Sequence, residues 1–190
     1  MLRFSLLICL GVSAAAAPLL RFDPVPVLTT PGGTAAVDVL LSGLPAGDPP
    51  SVGSFDLDVS YDPLVVTPVA LEFGPWLGQA GLGEALEFSF DLGGLIDFGS
   101  VSLLTGAELD ALQPGEFALA RITFLGLAPG TSVLGFEQIL IDDAGGLKLP
   151  VEGTGGSVTV TPEPATLLMV ALAWAGLWMA RRVRRQRPKM

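Results

Sequence analysis

The sequence predicts an all-β sandwich of eight or nine antiparallel strands, followed by one apolar C-terminal helix. Three observations predict it. The interior of the chain is a succession of short apolar stretches punctuated by Gly and Pro, which make up 24 and 16 of its 190 residues, with no helical period of useful length. Short strands separated by turn residues have that pattern, and stacking two sheets buries their apolar sides. The segment GSFDLDVSYD, residues 53–62, alternates strictly: Phe55, Leu57, Val59 and Tyr61 point one way, Asp56, Asp58 and Ser60 the other. Such a strand has one buried face and one wet face. At the far end, sixteen uncharged residues (165–180) rich in Leu, Ala, Met and Trp run directly into a cluster of cations.

The chain opens MLRFSLLICLGVSAAAAP, in which Arg3 precedes an apolar run from Phe4 to Val12 and then small residues. That is the layout of a secretory signal peptide over residues 1–16, cut after Ala16 with Ala14 and Ala16 at the small positions. Cys9, the single cysteine, lies inside the apolar run behind bulky Ile8, where lipidation would need small residues. Its removal leaves a mature chain without disulfide or thiol chemistry. The folded domain is then 17–160, long enough to bury a core without staples.

Within that domain TAAVDVLLSG (34–43) reads as the strand before 53–62, with Ala35, Val37, Val39 and Leu41 on one side. LEFSFD (86–91) sets Leu86, Phe88 and Phe90 against acids and Ser89. EFALARITFLG (116–126) is apolar on both faces for part of its length, as a central strand covered on two sides would be. Further strands are expected at 100–104, 132–137, 138–142 and 156–161. GAELDALQPG (106–115) has room for one or two helical turns before Pro114 stops them. There is no internal repeat.

The apolar run 165–180 spans roughly 24 Å as a helix, close to the roughly 30 Å hydrocarbon core of a bilayer that thins locally. Arg181, Arg182, Arg184, Arg185, Arg187 and Lys189 follow within the basic tail 181–190. Cations in such number resist translocation, so this end is expected in the cytoplasm and the domain outside. A buried core helix has this length too, but is rarely followed by six cations. Pro162-Glu163-Pro164, directly before the helix, is a stiff extended stop. The order of triplet, hydrophobic span and arginine-rich end, over residues 161–190, resembles the PEP-CTERM sorting signal of Gram-negative bacteria. The resemblance implies that an exosortase, a membrane-embedded cysteine transpeptidase, recognises the triplet and releases or transfers the exported protein. Localisation would then be the inner membrane first and the cell surface or extracellular space after cleavage. The plainer alternative is a permanent single-span anchor.

Charge and residue types exclude several functions. Residues 17–160 hold eighteen Asp and Glu against Arg21, Arg121 and Lys148, a net charge of −15. So acidic a surface repels nucleic acid and anionic lipid, and tolerates divalent cations, basic partners or neutral sugars. The chain has no histidine, and the mature domain no cysteine, which removes the usual general base, nucleophile pair and soft-metal ligands. A carboxylate pair can still cleave a glycosidic bond, but among eighteen acids some pair is close by chance; no enzyme and no cofactor are expected. Asp142-Asp143 with Gly145-Gly146 raises calcium, yet a full site needs about six or more oxygen ligands and this segment offers two side chains. A polar hairpin turn is the expectation there.

GSFDLDVSYDPLVVTPVALEFG (53–74) resembles a stretch of cohesin domains, in which an alternating strand ends in Tyr-Asp-Pro before a second short strand; Tyr61, Asp62 and Pro63 stand at those positions. Asp62-Pro63 is also simply a turn initiator. ALARITFLGLAPGTSVLGF (118–136) is similar to the family's core strand and glycine turn through Ile122, Phe124 and Gly130, and GGSVTV (155–160) to its closing strand. The resemblance covers nearly all of 22–160. It implies a cohesin-like jelly-roll β-sandwich of about nine strands and a non-catalytic binding module. The best-known members bind dockerin modules through one flat sheet face that includes outward residues of the Tyr-Asp-Pro strand. The family's acidic contact five positions before the tyrosine corresponds to Asp56; where an amide often stands two residues earlier, this chain has Ser54. Asp56 and Asp58 are therefore the candidate binding face, and also fit a plain solvated acidic face. Carbohydrate-binding modules of similar architecture stack sugars on exposed aromatics. Trp76, in the glycine-rich EFGPWLGQAGLG, is the candidate sugar contact or else a cover for the sandwich end. The expected product is an exported adhesion or scaffold module with an extracellular protein partner; the alternative is a carbohydrate-binding module of an exopolysaccharide or biofilm matrix.

Overall fold

A computed structural model describes residues 17–162, together with Trp174. The expected signal peptide, Glu163 and Pro164 of the triplet, the rest of the apolar run 165–180, and Arg181, Arg182, Arg184, Arg185 and Arg187 lie outside the described residues. Among the described residues no helix is long and apolar enough to cross a membrane.

Eleven strands form the domain: β1 (Leu19–Asp23), β2 (Val27–Thr29), β3 (Thr34–Ser42), β4 (Val52–Ser60), β5 (Val66–Phe73), β6 (Ala85–Asp91), β7 (Leu95–Ser102), β8 (Glu116–Gly126), β9 (Gly130–Asp143), β10 (Glu152–Thr154) and β11 (Gly156–Val160). They make two sheets, ordered β10-β1-β3-β8-β5 and β2-β11-β9-β4-β7-β6. Neighbours run antiparallel except β1 with β10 and β2 with β11, which are parallel. One helix, α1 (Gly106–Leu112), lies between β7 and β8. Thr105 and Glu108 close its first turn as a reciprocal capping box, and the helix stops at Gln113, just before Pro114.

The count exceeds the expected nine because β1, β2 and β10 are short pieces whose sequences alternate too briefly to be read. In the other direction, 132–137 and 138–142 are not two strands but one, the fourteen-residue β9. Its pairing with β4 shifts between Asp58 and Val59, leaving Glu137 unpaired as a bulge. A bulge breaks the alternation of side chains without breaking the strand. The same device corrects the reading of β8. Leu119 and Ala120 are both buried because the β3–β8 register shifts there, not because a second layer covers the outer face; Glu116 and Arg121 are exposed on it.

The core lies between the sheets. Ala35, Val37, Val39 and Leu41 of β3 and Phe55, Leu57 and Val59 of β4 are buried, as their alternation requires. Phe55, Phe73 and Phe98 cluster with ring centroids 6.1 to 6.4 Å apart, and Phe22 stacks on Phe136 at 4.4 Å. Each buried Leu or Phe contributes about 1.5–3 kcal/mol relative to an exposed one. With no disulfide in this domain, that packing holds the fold.

Candidate binding face

The outer face of the six-stranded sheet carries the candidate residues, and cross-strand register puts them in rows. Phe90, Asp97, Asp58 and Gln138 lie side by side across β6, β7, β4 and β9. The next row is Phe88, Gly99, Asp56 and Leu140, and the third is Leu86, Val101, Ser54 and Asp142. Carboxylates therefore sit in a surround of apolar side chains. The alternation of LEFSFD is present, but its apolar side is the exposed one: Leu86, Phe88 and Phe90 are 61, 37 and 58% exposed. β6 is the last strand of its sheet, and Glu87, Ser89 and Asp91 on its other side are exposed too, so the second sheet does not cover it.

Gly99 is what allows the ring of Phe88 to lie across the sheet. A Cβ on Gly99 would stand 2.7 Å from that ring and 2.5 Å from the Phe55 carbonyl oxygen. Asp56, beyond Gly99 in the same row, has its Oδ1 buried with no hydrogen-bond partner among the described residues. Burial pushes the Asp56 carboxyl above the usual carboxylate range, and Asp97 and Asp58 push it further. Burial likewise raises Asp58, with Asp97 and Glu137 adding to the effect. Among the described residues neither carboxylate forms an ion pair. The two arginines of the domain are engaged with acids of the opposite sheet, Arg21 with Glu116 at 3.1 Å and Arg121 with Asp38 at 2.6 Å. One outer face is thus charge-paired and the other is acidic and apolar.

Trp76 stands elsewhere, in the loop after β5. It is half-buried, with its ring centroid 6.1 Å from that of Phe117. Its carbonyl accepts a 3.0 Å hydrogen bond from Gln113, whose amide also exchanges two bonds with the backbone of Val52, at 2.7 and 2.8 Å. Gln113 is a buried hub that sequence reasoning missed. Its signal, a polar residue directly before Pro114, looks like an ordinary helix end.

The Tyr-Asp-Pro turn is built into the scaffold. Tyr61 donates to Asp91, and Asp62 Oδ1 accepts the N–H of Leu64 at 2.9 Å as an Asx turn. Asp143 Oδ1 accepts N–H groups of Gly145 and Leu147 at 2.8 and 2.9 Å, forming a polar hairpin turn.

No family model matches the chain, and no curated protein matches its sequence. Solved structures do match in fold. A type I cohesin–dockerin complex of OlpA from Clostridium thermocellum is similar at a TM-score of 0.61 and 17% identity, over 76% of this chain and 99% of that one. A non-cellulosomal cohesin from Archaeoglobus fulgidus is similar at 0.60 and 18%, over 81 and 98%. CaCohA2 from Clostridium acetobutylicum is similar at 0.59 and 20%, over 76 and 91%. These likenesses define the class of fold: this chain is an all-β sandwich of cohesin-like architecture, as its sequence led one to expect.

Proposed function

We propose that this chain is an exported, non-catalytic module that binds a protein partner on the outer face of its six-stranded sheet. The observation that carries the reading is the Asp56 carboxylate, one oxygen buried without a donor among the described residues, on the same sheet face as exposed Leu86, Phe88 and Phe90. A buried acceptor left unpaired is costly, and a partner that brings a donor removes that cost. Exposed aromatics beside it supply the apolar area that anchors protein interfaces. The cohesin-like fold supports the same reading, since several solved structures of that fold are complexes with dockerins. Trp76, half-buried against Phe117, supports it over the polysaccharide alternative.

Sorting through an exosortase-type system completes the proposal. Thr161 is held by two hydrogen bonds to the Thr29 carbonyl, at 2.8 and 3.1 Å, and Pro162 is exposed directly after it. Only three residues of the triplet then separate the sandwich from the apolar run, about 10 Å of extended chain. An anchored domain would be pressed against the bilayer, so cleavage near the triplet precedes binding. Mass spectrometry of the exported form tests this: a C-terminus near Pro162–Pro164 is expected, and an intact chain through Met190 contradicts it. For the face itself, the domain is immobilised and exported proteins of the producing cell are passed over it. Asp56→Ala and Phe88→Ala should lose a partner that Glu72→Gln, on the opposite sheet, retains. Equal retention by all three would overturn the assignment.

A further inference from the structure

The two sheets have four edges, and three are blunted. β2 and β10 are three residues long, and β5 carries Pro68 with a register shift beside it. Short strands, prolines and bulges are the devices that keep sheet edges from pairing. β6 has seven residues, no proline and an unshifted register with β7. Leu92 N–H donates to the Leu95 carbonyl at 2.8 Å and Leu103 N–H to the Glu84 carbonyl at 2.7 Å. Antiparallel bonds alternate along a strand. Leu86, Phe88 and Phe90 therefore bond to β7, and the N–H and C=O groups of Ala85, Glu87, Ser89 and Asp91 point away from it; Ala85 is buried, while Glu87, Ser89 and Asp91 are exposed at the open edge.

We infer that β6 pairs with β6 of a second copy of this chain, antiparallel and about a two-fold axis at Phe88, joining two six-stranded sheets into one. The occupant is read from charge and register. In this alignment every edge-pointing residue meets another: Ala85 faces Asp91 and Glu87 faces Ser89 of the second copy, in both directions. On the outer face Leu86 meets Phe90 and Phe88 meets Phe88, apolar on apolar. Shifting the axis to Glu87 opposes two glutamates, and shifting it to Ser89 opposes Glu87 with Asp91. Like charges directly opposite destabilise a strand pair, so among alignments that match edge-pointing residues and pair at least five of the seven residues only the Phe88 one sets no acid against an acid. The strand ALEFSFD is in this sense complementary to itself. The dimer shares Leu86, Phe88 and Phe90 with the proposed partner face, but Glu87 and Ser89 lie on the other side of β6, so varying Ser89 tests the dimer without touching Asp56 or Phe88.

The test is sedimentation velocity on the full chain in mild detergent, with Ser89 varied. Each dimer contains the Glu87–Ser89 pair twice. Ser89→Lys should tighten association and Ser89→Glu weaken it, each by on the order of tenfold. The gap should close at about 1 M salt, where charges are screened beyond roughly 3 Å. Ser89→Pro, which removes an edge N–H and leaves the β7 ladder intact, should be monomeric. A wild-type chain that stays monomeric up to about 100 µM, where a contact of about −5.5 kcal/mol would be half-populated, overturns the inference. So do Lys and Glu variants that shift association equally. If Ser89→Pro fails to fold, the opposed response of the other two decides.

Discussion

Tyr61 and Asp91, thirty residues apart in the chain, are joined by a 2.6 Å hydrogen bond from the phenol to Oδ1. The bond ties the end of β4 to the end of β6 across β7, which lies between them. The same oxygen accepts the Gly93 N–H at 2.9 Å, so one carboxylate closes the β6–β7 turn and holds the tyrosine. Tyr61→Phe should cost about 1 kcal/mol in urea unfolding, the usual net value of such a bond.

The same residue predicts a pH response. Burial, then the Asp91 bond, pushes the Tyr61 phenol up to about 12. A pKa raised on folding gives stability that is complete below the unfolded value and lost as pH rises through the folded one. Thermal stability should therefore fall between about pH 10 and 12, and Tyr61→Phe should flatten that fall. An unchanged slope in the variant would refute the assignment.

Gly99→Ala should disrupt the face from within the strand. The added methyl meets both the Phe88 ring and the Phe55 carbonyl. Overpacking of this kind costs about 1–3 kcal/mol. Chemical denaturation would register that loss, and partner capture should fall with it because Phe88 is displaced.

Gln113→Ala removes two buried bonds to Val52 and a partly buried one to the Trp76 carbonyl. It leaves a backbone N–H and two carbonyls unpaired. Roughly 2–4 kcal/mol of destabilisation is expected. The Trp76 fluorescence environment should change, because the loop loses its tie to the helix end.

Asp56→Asn should separate stability from binding. Burial, Asp97 and Asp58 raise the Asp56 carboxyl, so the folded state binds its proton more tightly than the unfolded chain does. Its contribution to stability is fullest at acid pH and is lost as pH rises through the raised value. The amide should thus unfold no more easily than the wild type at neutral pH. Partner capture should nevertheless drop. A variant that binds as wild type would show that the carboxylate is not part of the interface.

Much of the architecture is written in local pattern. The period of two in 34–43 and 53–62 correctly assigned which side of β3 and β4 enters the core, because pleating sends alternate side chains to opposite faces whatever surrounds them. Thr105, Glu108 and Pro114 bounded the helix by capping and steric rules that act within a few residues. LEFSFD shows where such reasoning stops. Its alternation identified Leu86, Phe88 and Phe90 as one face, but burial depends on what is stacked opposite, and β6 lies at the rim of its sheet. Bulges at Glu137 and Leu119 are likewise settled by the partner strand, since a register shift is a property of the pair. Asp56 and Asp58 could be picked out as outward acids from sequence. That neither forms an ion pair among the described residues follows only from the fold, which brings Glu116 and Asp38 to the two arginines on the far sheet through contacts the chain order does not contain.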